Sequence, residues 1–464
     1  MALRGGPSGP DPGDWLALGH DLFGERVRAA RSVFPPVVPA LAKGFTLIIP
    51  PLPALALVGA TASVAAGPPL FLMAHQAGGV LWGMIATLGI LFLPYSVGEA
   101  LGWGGYPQML GQGLALLSLA LLCKGVVDAQ MRHLALSAVA GVLAMATSVW
   151  AAAFLALAIP LLLATAFFHR LVRLNTLKQF GIWWSLPVLV GGASLAPVYW
   201  AYFANFASVP LNPAQLTPQD AFAFVFREWP RPLGSIFFVV PLASGLPTLC
   251  LWPTGKPLPL RLATPPVLLA ALALYFLTKE SRFLSLLEIG VWTGVLAVLM
   301  EVWAWTKEGR LPLHWERALR LMVLALAVIL TAFVVVRGHQ RTIAAYEWYQ
   351  VVTPDVHQAL DWLRTQGTHG GVVVASGNPR DFQYFWWVEG YARLPSYSAT
   401  GMAQDVQGDP QAFQRASRRK GTYQPGQWGQ RQDGVKGPPG GGEAPPTRSK
   451  GLALNHALPP PVPL

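Results

Sequence analysis

Long apolar segments separated by short polar loops cover the middle of the chain. We assign ten of them, at 44–72, 78–95, 107–123, 134–149, 151–168, 180–204, 233–252, 263–278, 284–304 and 319–336. Several have the ~20 residues that a helix needs to cross ~30 Å of hydrocarbon, and the shorter ones suffice once loop ends are included. The pattern predicts a polytopic α-helical membrane protein with about ten spans.

A soluble pattern returns after the last span, over residues 337–417. The sequence Thr353-Pro354-Asp355 is typical of a helix start, and Ala359, Leu360, Trp362 and Leu363 are expected to form the apolar face of that helix. The run 371–377 is rich in valine and bounded by glycines, which indicates a buried strand. We therefore predict a small C-terminal extracytoplasmic α/β domain, in which the aromatic run 384–387 either packs in a core or contacts a substrate.

The chain divides into four parts. Residues 1–43 form an extracytoplasmic amphipathic loop segment, 44–336 the membrane body, 337–417 a partial α/β domain and 418–464 a disordered low-complexity tail. An external N-terminus requires a preceding span, and residues 1–13 contain no apolar core. We expect the sequence to be incomplete at both ends.

Basic residues fall on alternate loops. Eleven lie in the loops 124–133, 169–179, 253–262 and 305–320, namely Lys124, Arg132, Arg170, Arg173, Lys178, Lys256, Arg261, Lys307, Arg310, Arg317 and Arg320. The opposite loops hold four: Arg227, Arg231, Lys279 and Arg282. Because Lys and Arg are retained on the cytoplasmic side, the first group is predicted to be cytoplasmic and both chain ends extracytoplasmic.

Composition supports a protein of the cell membrane. The chain is 53% apolar and 12% charged, with mean hydropathy +0.43, against about 25% charge in soluble domains. The net charge of +11 lies largely in the cytoplasmic loops and the tail, so nucleic acid is not an expected partner. Cys123 and Cys250 lie singly inside spans and are expected to pack there.

The first external candidates are the carboxylates Asp11 and Asp14. They precede an amphipathic run in which Leu16, Leu22 and Phe23 are expected to share one side. A carboxylate at this boundary can act as a general base or hold a divalent cation, which is the candidate cofactor. The alternative is that both are solvated residues of a mobile tail.

The second candidate is the external loop 94–108. Its glycines allow close approach of a ligand, Trp103 and Tyr106 can stack on a sugar ring, and Glu99 and Gln108 can bind hydroxyls. The alternative is a tight loop with interfacial aromatic residues.

The third candidate is Arg282 at the outer edge of a span, with Glu288 about two turns inside it. A guanidinium at this boundary suits a phosphate, and an intramembrane carboxylate is a functional candidate. The alternative is a local Glu288–Arg282 pair. The segment 227–230 could line the same cavity.

These segments resemble the GT-C membrane glycosyltransferases, the class that includes polyprenyl-phosphate-sugar-dependent mannosyltransferases. The run 13–41 is similar to the first external loop of that class, Trp103-Gly104-Gly105-Tyr106-Pro107-Gln108 to a Gly-Tyr-Pro element of a poorly characterised prokaryotic branch, and Thr353-Pro354-Asp355 to the start of its external domain. The resemblance covers about residues 11–417.

The resemblance implies roles for particular residues. The catalytic Asp would be Asp14, with Asp11 as its substitute, and would deprotonate an acceptor hydroxyl in an inverting transfer. Arg282 would hold the phosphate of the lipid-linked sugar donor, and Glu99 or Asp220 would serve as a second acidic motif. The first span of the class is missing here. The expected partners are the lipid-linked donor and membrane lipid.

Two other functions stay open. A transporter or lipid flippase predicts polar residues throughout the bilayer depth and broken helices in paired halves. A non-catalytic membrane scaffold would use residues 337–417 to bind a partner, and it would gain support if Asp14, Glu99 and Arg282 lay far apart.

Overall fold

The computed structural model is almost entirely helical. It describes residues 11–25, 34–128, 130–168, 178–207, 259–278, 282–306, 312–366, 373–375, 385–394 and 396–398. The helices are α1 (Asp11–Leu22), α2 (Val37–Thr46), α3 (Pro51–Val64), α4 (Gly67–Gly78), α5 (Val80–Leu91), α6 (Ala100–Trp103), α7 (Tyr106–Asp128), α8 (Met131–Thr147), α9 (Val149–Phe168), α10 (Leu186–Ala207), α11 (Pro259–Thr278), α12 (Arg282–Trp305), α13 (Leu313–Trp348), α14 (Pro354–Gln366) and α15 (Phe385–Trp387). Three π-helical segments cover Pro94–Glu99, Gly181–Ser185 and Val388–Ala392. Two strands, β1 (Val373–Ala375) and β2 (Ser396–Ser398), complete the described part.

Within the described residues, seven helices are long and apolar enough to cross a membrane, and an eighth is obtained if a bent pair counts as one span. Nine of the ten predicted segments overlap helices, and 233–252 lies outside the described residues. Helix α8, which matches 134–149, has only 17 residues. The chain is a multi-pass membrane protein, and the total of about ten spans stays a prediction.

The bent pair joins α5 to the segment Pro94–Trp103 at an angle of 52°. Proline lacks a backbone N–H and cannot continue the hydrogen-bonding ladder of α5, so the helix breaks before Pro94. A π-helical turn then runs into α6. Gly104 ends α6 with a positive φ of 94°, a conformation that glycine adopts without strain.

The described helices pack around two hydrophobic cores. The larger core unites the helices α4, α5, α7, α8, α9, α11, α12 and α13, and it includes the fully buried Cys123. The smaller core joins α1, α2, α3, the segment Pro94–Trp103, the start of α7, α14 and the segment around Trp387. The smaller core therefore links the N-terminal segment to the residues after the last span.

Helix α1 packs differently from the expectation. Leu16 is fully buried, but Leu22 and Phe23 are 52% and 56% exposed, so the three do not share one buried side. Helix α1 is buried continuously from Trp15 to His20 rather than along one stripe. A Cβ atom on Gly13 would lie 2.8 Å from the Trp386–Trp387 backbone, so glycine also lets α1 pack directly against α15.

The helix predicted after the last span is present as α14, with the predicted start but a different buried face. Thr353 Oγ1 accepts a hydrogen bond from the Val356 amide at 3.4 Å, which caps α14 as predicted. The packed face of α14 contains Leu360 but not Ala359 or Trp362, which are exposed. Residues 356, 360 and 363 lie on one helical stripe, whereas 359 and 362 lie on the next one. Thr353 therefore fixes where the helix starts, while tertiary packing selects the buried stripe.

The predicted valine-rich strand is present as β1. It pairs in parallel with β2, with Val374 opposite Tyr397. The α/β domain as a whole stays a prediction. In the aromatic run, Trp387 is fully buried in the smaller core.

Polar contacts separate the membrane body into two ends. At one end, called here the site end, Gln108 contacts Arg282 and Arg341 contacts Glu99. At the opposite end, Arg261 pairs with Glu301, and Arg320 contacts Thr306. All eight substrate-binding and catalytic candidates named from the sequence fall at or near the site end, which is the arrangement expected if one compartment contains them.

Candidate functional site

The N-terminal helix and the loop after α6 meet at the site end. The indole Nε1 of Trp15 donates to the Gly104 carbonyl at 2.8 Å. A Cβ atom on Gly104 would lie 2.3 Å from Pro12 Cδ and 3.1 Å from Asp11 Cβ, so only glycine fits between the two elements. This close approach brings Asp11 to the Trp103–Gln108 loop.

Arg282 begins α12 at the same place. Its guanidinium carbon lies 5.6 Å from the ring centre of Trp103 and 5.3 Å from that of Trp150. Contact with two aromatic faces holds the cation by cation–π attraction while leaving its N–H groups able to bind an anion. The predicted loop and the predicted guanidinium therefore form one wall.

Gln108 connects that wall to α12. Its Nε2 donates to Ser285 Oγ at 2.7 Å and to the Arg282 carbonyl at 3.4 Å. Its Oε1 is buried and has no hydrogen-bond partner among the described residues, and the same is true of the Tyr106 hydroxyl. Both atoms are available to a ligand group that donates or accepts hydrogen bonds.

Asp11 is the acidic group that interacts electrostatically with Arg282. Burial raises the pKa of its carboxyl to about 7, and the positive charge of Arg282 opposes that rise. Asp14 lies one helical turn further along α1 and is half-buried. Neither carboxylate belongs to a mobile tail, since both stand on a packed helix.

Glu99 is paired within the protein. Its Oε2 accepts from Arg341 Nη2 at 2.8 Å and its Oε1 from the Tyr349 hydroxyl at 3.4 Å. Arg341 also lies over the ring of Tyr95 at 5.6 Å. The phenol of Tyr349 has its pKa raised by burial and by the charges of Glu99 and, more weakly, Asp11, so this ion pair adjoins the Asp11 side of the site.

Glu288 is fully buried and lies six residues after Arg282 on α12. Its carboxylate accepts hydrogen bonds from the amides of Tyr95 and Ser96 and from the Ser96 hydroxyl. The sequence left a local Glu288–Arg282 pair open as an alternative. Among the described residues, the Glu288 carboxylate accepts hydrogen bonds from Tyr95 and Ser96 of the bent segment and does not pair with Arg282.

A second polar cluster holds the far end of α1. Lys43 Nζ donates to Glu25 Oε1 at 2.7 Å, and His20 Nδ1 lies 2.7 Å from Glu25 Oε2. His20 Nε2 donates to the Gly390 carbonyl at 3.1 Å. Burial, followed by the charge of Lys43, lowers the pKa of His20. The cluster ties α1 to α2 and to the segment Val388–Ala392, so both ends of α1 are fixed.

The part of the chain that the structure describes holds no group of three or more His, Cys, Asp or Glu side chains arranged to bind a metal. The divalent cation stays a prediction, with Asp11 and Asp14 as the carboxylates expected to hold it. Residues 227–230 and Asp220 lie outside the described residues.

Four residues of this site were not singled out from the sequence: Trp15, Trp150, Arg341 and Tyr349. In the sequence, Trp15 and Trp150 look like ordinary apolar positions. Arg341 is one of several basic residues after the last predicted span. Their roles depend on contacts between distant segments, such as Glu99–Arg341, and a local sequence pattern cannot predict such contacts.

Comparison with known proteins gives a match at the level of fold. No family model and no curated protein matches the sequence. Among solved structures, the chain is similar to ArnT from Cupriavidus metallidurans in the apo state, with a TM-score of 0.58 and 14% identity over 89% of this chain and 86% of that chain. The same protein bound to undecaprenyl phosphate gives 0.50 and 15% over 88% and 85%.

An archaeal structure shares the fold as well. The oligosaccharyltransferase of Archaeoglobus fulgidus, in complex with Zn and sulfate, gives a TM-score of 0.52 at 15% identity, covering 85% of this chain and 58% of that one. The chain therefore has the fold of the GT-C membrane glycosyltransferases, as the resemblance in its sequence predicted.

Proposed function

We propose that the protein is an integral membrane glycosyltransferase, which moves a sugar from a polyprenyl-phosphate donor to an extracytoplasmic acceptor with inversion of the anomeric centre. The observation that carries the proposal is the juxtaposition of Asp11 with Arg282, which joins a carboxylate from an N-terminal helix to a guanidinium from the edge of a span. One acid and one anion-binding cation are the groups that an in-line sugar transfer from a phosphate requires.

The donor would bind through its phosphate at Arg282. Two indole faces hold the guanidinium at the first residue of a span, at the depth where a lipid phosphate lies next to its apolar chain. ArnT from Cupriavidus metallidurans, which shares this fold, has been crystallised bound to undecaprenyl phosphate. That complex supports a lipid-linked donor here.

The acid would act as general base on the acceptor hydroxyl. As the acceptor oxygen bonds to the anomeric carbon, its proton passes to the carboxylate, the bond from that carbon to the phosphate oxygen breaks, and polyprenyl phosphate leaves. We assign the role to Asp11, because it interacts with Arg282 and its pKa of about 7 suits a base near neutral pH. Asp14 would then bind the acceptor beside it.

The first experiment compares carboxylate variants in a transfer assay with the full-length protein and a radiolabelled polyprenyl-phosphate sugar. We expect Asp11→Asn to lower kcat by roughly 100-fold or more, the usual contribution of a general base. Asp355→Asn is the matched control, because Asp355 also lies in the first turn of a helix but is exposed. Undiminished turnover in both Asp11→Asn and Asp14→Asn would refute the mechanism.

One observation bears on the transporter or flippase alternative. The described residues contain a single span broken in the middle, whereas inverted-repeat transporters break helices in pairs. Movement of the lipid-linked donor across vesicles without sugar transfer would support that alternative. The scaffold alternative predicts that Asp14, Glu99 and Arg282 lie far apart. The adjacency of Asp11, which is on the same helix as Asp14, to the Trp103–Gln108 loop and Arg282 supports the glycosyltransferase proposal instead.

A further inference from the structure

The broken span leaves polar groups inside the membrane body. A helix that starts at Pro94 has no intrahelical partners for the amides of its first turn, and hydrocarbon offers no water to bind them. Leu93 provides no side-chain cap, and its carbonyl accepts from the amides of Val97 and Gly98, so the amides of Tyr95 and Ser96 need an acceptor from outside the segment. Another element must supply the acceptor.

Glu288 of α12 supplies it. Its Oε2 accepts from the Ser96 amide at 2.8 Å, from the Ser96 hydroxyl at 2.7 Å and from the Tyr95 amide at 3.1 Å. The Ser96 hydroxyl also lies 2.8 Å from the Ser285 carbonyl on the same helix. Burying a carboxylate costs free energy unless several hydrogen-bond donors surround it. Among the described residues, the donors to Glu288 all belong to the bent segment.

The same two elements meet again at the candidate site. Arg282 lies six residues before Glu288 on α12, about 9 Å along the helix axis at 1.5 Å per residue. Trp103 ends the helical stretch that Glu288 anchors at its start, and Arg282 lies over its ring at 5.6 Å. The bent segment and α12 are therefore joined at two places, by Glu288 inside the membrane body and by the Arg282–Trp103 contact at the site end.

We propose that Glu288 is a positioning residue for the phosphate-binding site: it fixes the segment Pro94–Trp103 against α12 so that Trp103 and Arg282 together receive the donor phosphate. Glu288 then acts without touching the substrate, in contrast to the contact role expected from the sequence. The inference rests on the proposed function for its kinetic test, and on the geometry alone for its structural test.

Ser96 offers a mild variant for the kinetic test. Ser96→Ala removes the hydroxyl bond to Glu288 and keeps both amide bonds, so the protein is expected to fold. We expect the KM for the polyprenyl-phosphate sugar to rise roughly tenfold, the equivalent of one lost charge-assisted hydrogen bond, with kcat changed less than about twofold. Ser96→Thr keeps the hydroxyl and should restore the KM.

Two comparisons separate positioning from general destabilisation. Glu301→Gln breaks the ion pair with Arg261 at the opposite end of the same helix and should lower thermal stability without changing the KM. In an Arg282→Ala background, Ser96→Ala should add no further rise in KM, because its effect passes through Arg282. An unchanged KM in Ser96→Ala, an equal rise in Glu301→Gln, or full additivity would overturn the proposal.

Hydrogen exchange gives a test that does not need activity. Glu288→Gln replaces an acceptor oxygen by an amide and should accelerate exchange in residues 94–106, whereas Glu301→Gln should leave that segment unchanged. Unaltered protection of 94–106 in Glu288→Gln would overturn the inference whether or not the protein transfers sugar. If the protein transfers no sugar but hydrogen-exchange protection of residues 94–106 changes as expected, the proposed function fails, whereas the positioning role of Glu288 is supported.

Discussion

Asp11 lies where two opposing effects act on one carboxyl. Burial disfavours its charge and Arg282 favours it, and burial is the larger effect, so its pKa rises to about 7 from an ordinary value near 3.8. A group that titrates near 7 changes its charge within the physiological range, which gives the proposed base a measurable signature.

Activity is expected to rise as the pH passes through about 7, because only the ionised Asp11 accepts the acceptor proton. A pH profile of kcat/KM between about 5 and 9, the range around that pKa, would show this rise. A rate independent of pH over the same window would contradict Asp11 as the base.

The same shift acts oppositely on stability. Asp11 binds its proton more tightly when folded, so its contribution to stability is full below the unfolded pKa and is lost as the pH rises through about 7. The stability of the native chain relative to Asp11→Asn should therefore fall over this range, which thermal unfolding in detergent can measure.

The sequence singled out some of these residues for sound physical reasons and could not single out others. Arg282 was noticeable because it breaks the charge rule for external loops, and Glu288 because carboxylates are rare in spans. Asp11 and Asp14 lie three residues apart and project from neighbouring positions of one helix, so periodicity cannot choose between them. The contact of Asp11 with Gly104, which favours it, joins residues 93 positions apart.

At the scale of elements, the site depends on how closely α1 approaches the loop after α6. Gly104 combines a positive φ with a neighbouring Pro12, and any side chain there would displace α1. The start of α14 followed from the sequence, because Thr353 caps the helix and Pro354 suits its first turn. The buried residues of α1 did not follow, because the helix is enclosed on several sides and its glycines allow close contact with neighbouring backbones.

Gly104→Ala is expected to lower transfer by roughly 100-fold, because pushing Pro12 and Asp11 aside misplaces the proposed base by about 1 Å or more. Gly24→Ala is the matched control: Gly24 has a φ of 83°, but nothing lies within 4 Å of its added Cβ. Both variants carry a backbone cost of about 1–2 kcal/mol, which thermal unfolding would reveal. Equal activity in the two variants would show that the α1 contact is not needed.

At the scale of the molecule, hydropathy predicted the spans because the membrane requires long apolar helices whatever their packing. The polar contacts lie at two ends of the membrane body. Arg282 and Arg341 are at the site end, and Arg261 and Arg320 are at the opposite end. The compartment that each end faces depends on the distribution of basic loops, and this sidedness is the remaining link between the fold and an extracytoplasmic transfer.

Cysteine labelling tests that link directly. In a background in which Cys123 and Cys250 are replaced by alanine, single changes Phe23→Cys and Gln350→Cys introduce exposed thiols near the site end, and Met131→Cys introduces one at the opposite end. A membrane-impermeant maleimide should label the first two in intact cells and the third only after permeabilisation, because the loop with Met131 carries the retained basic residues. The reverse pattern would place Asp11 and Arg282 in the cytoplasm, where an acceptor and a lipid-linked donor of the proposed kind would not meet them. The sidedness of these three thiols therefore decides whether the fold can perform the proposed reaction, independently of any assay of the chemistry.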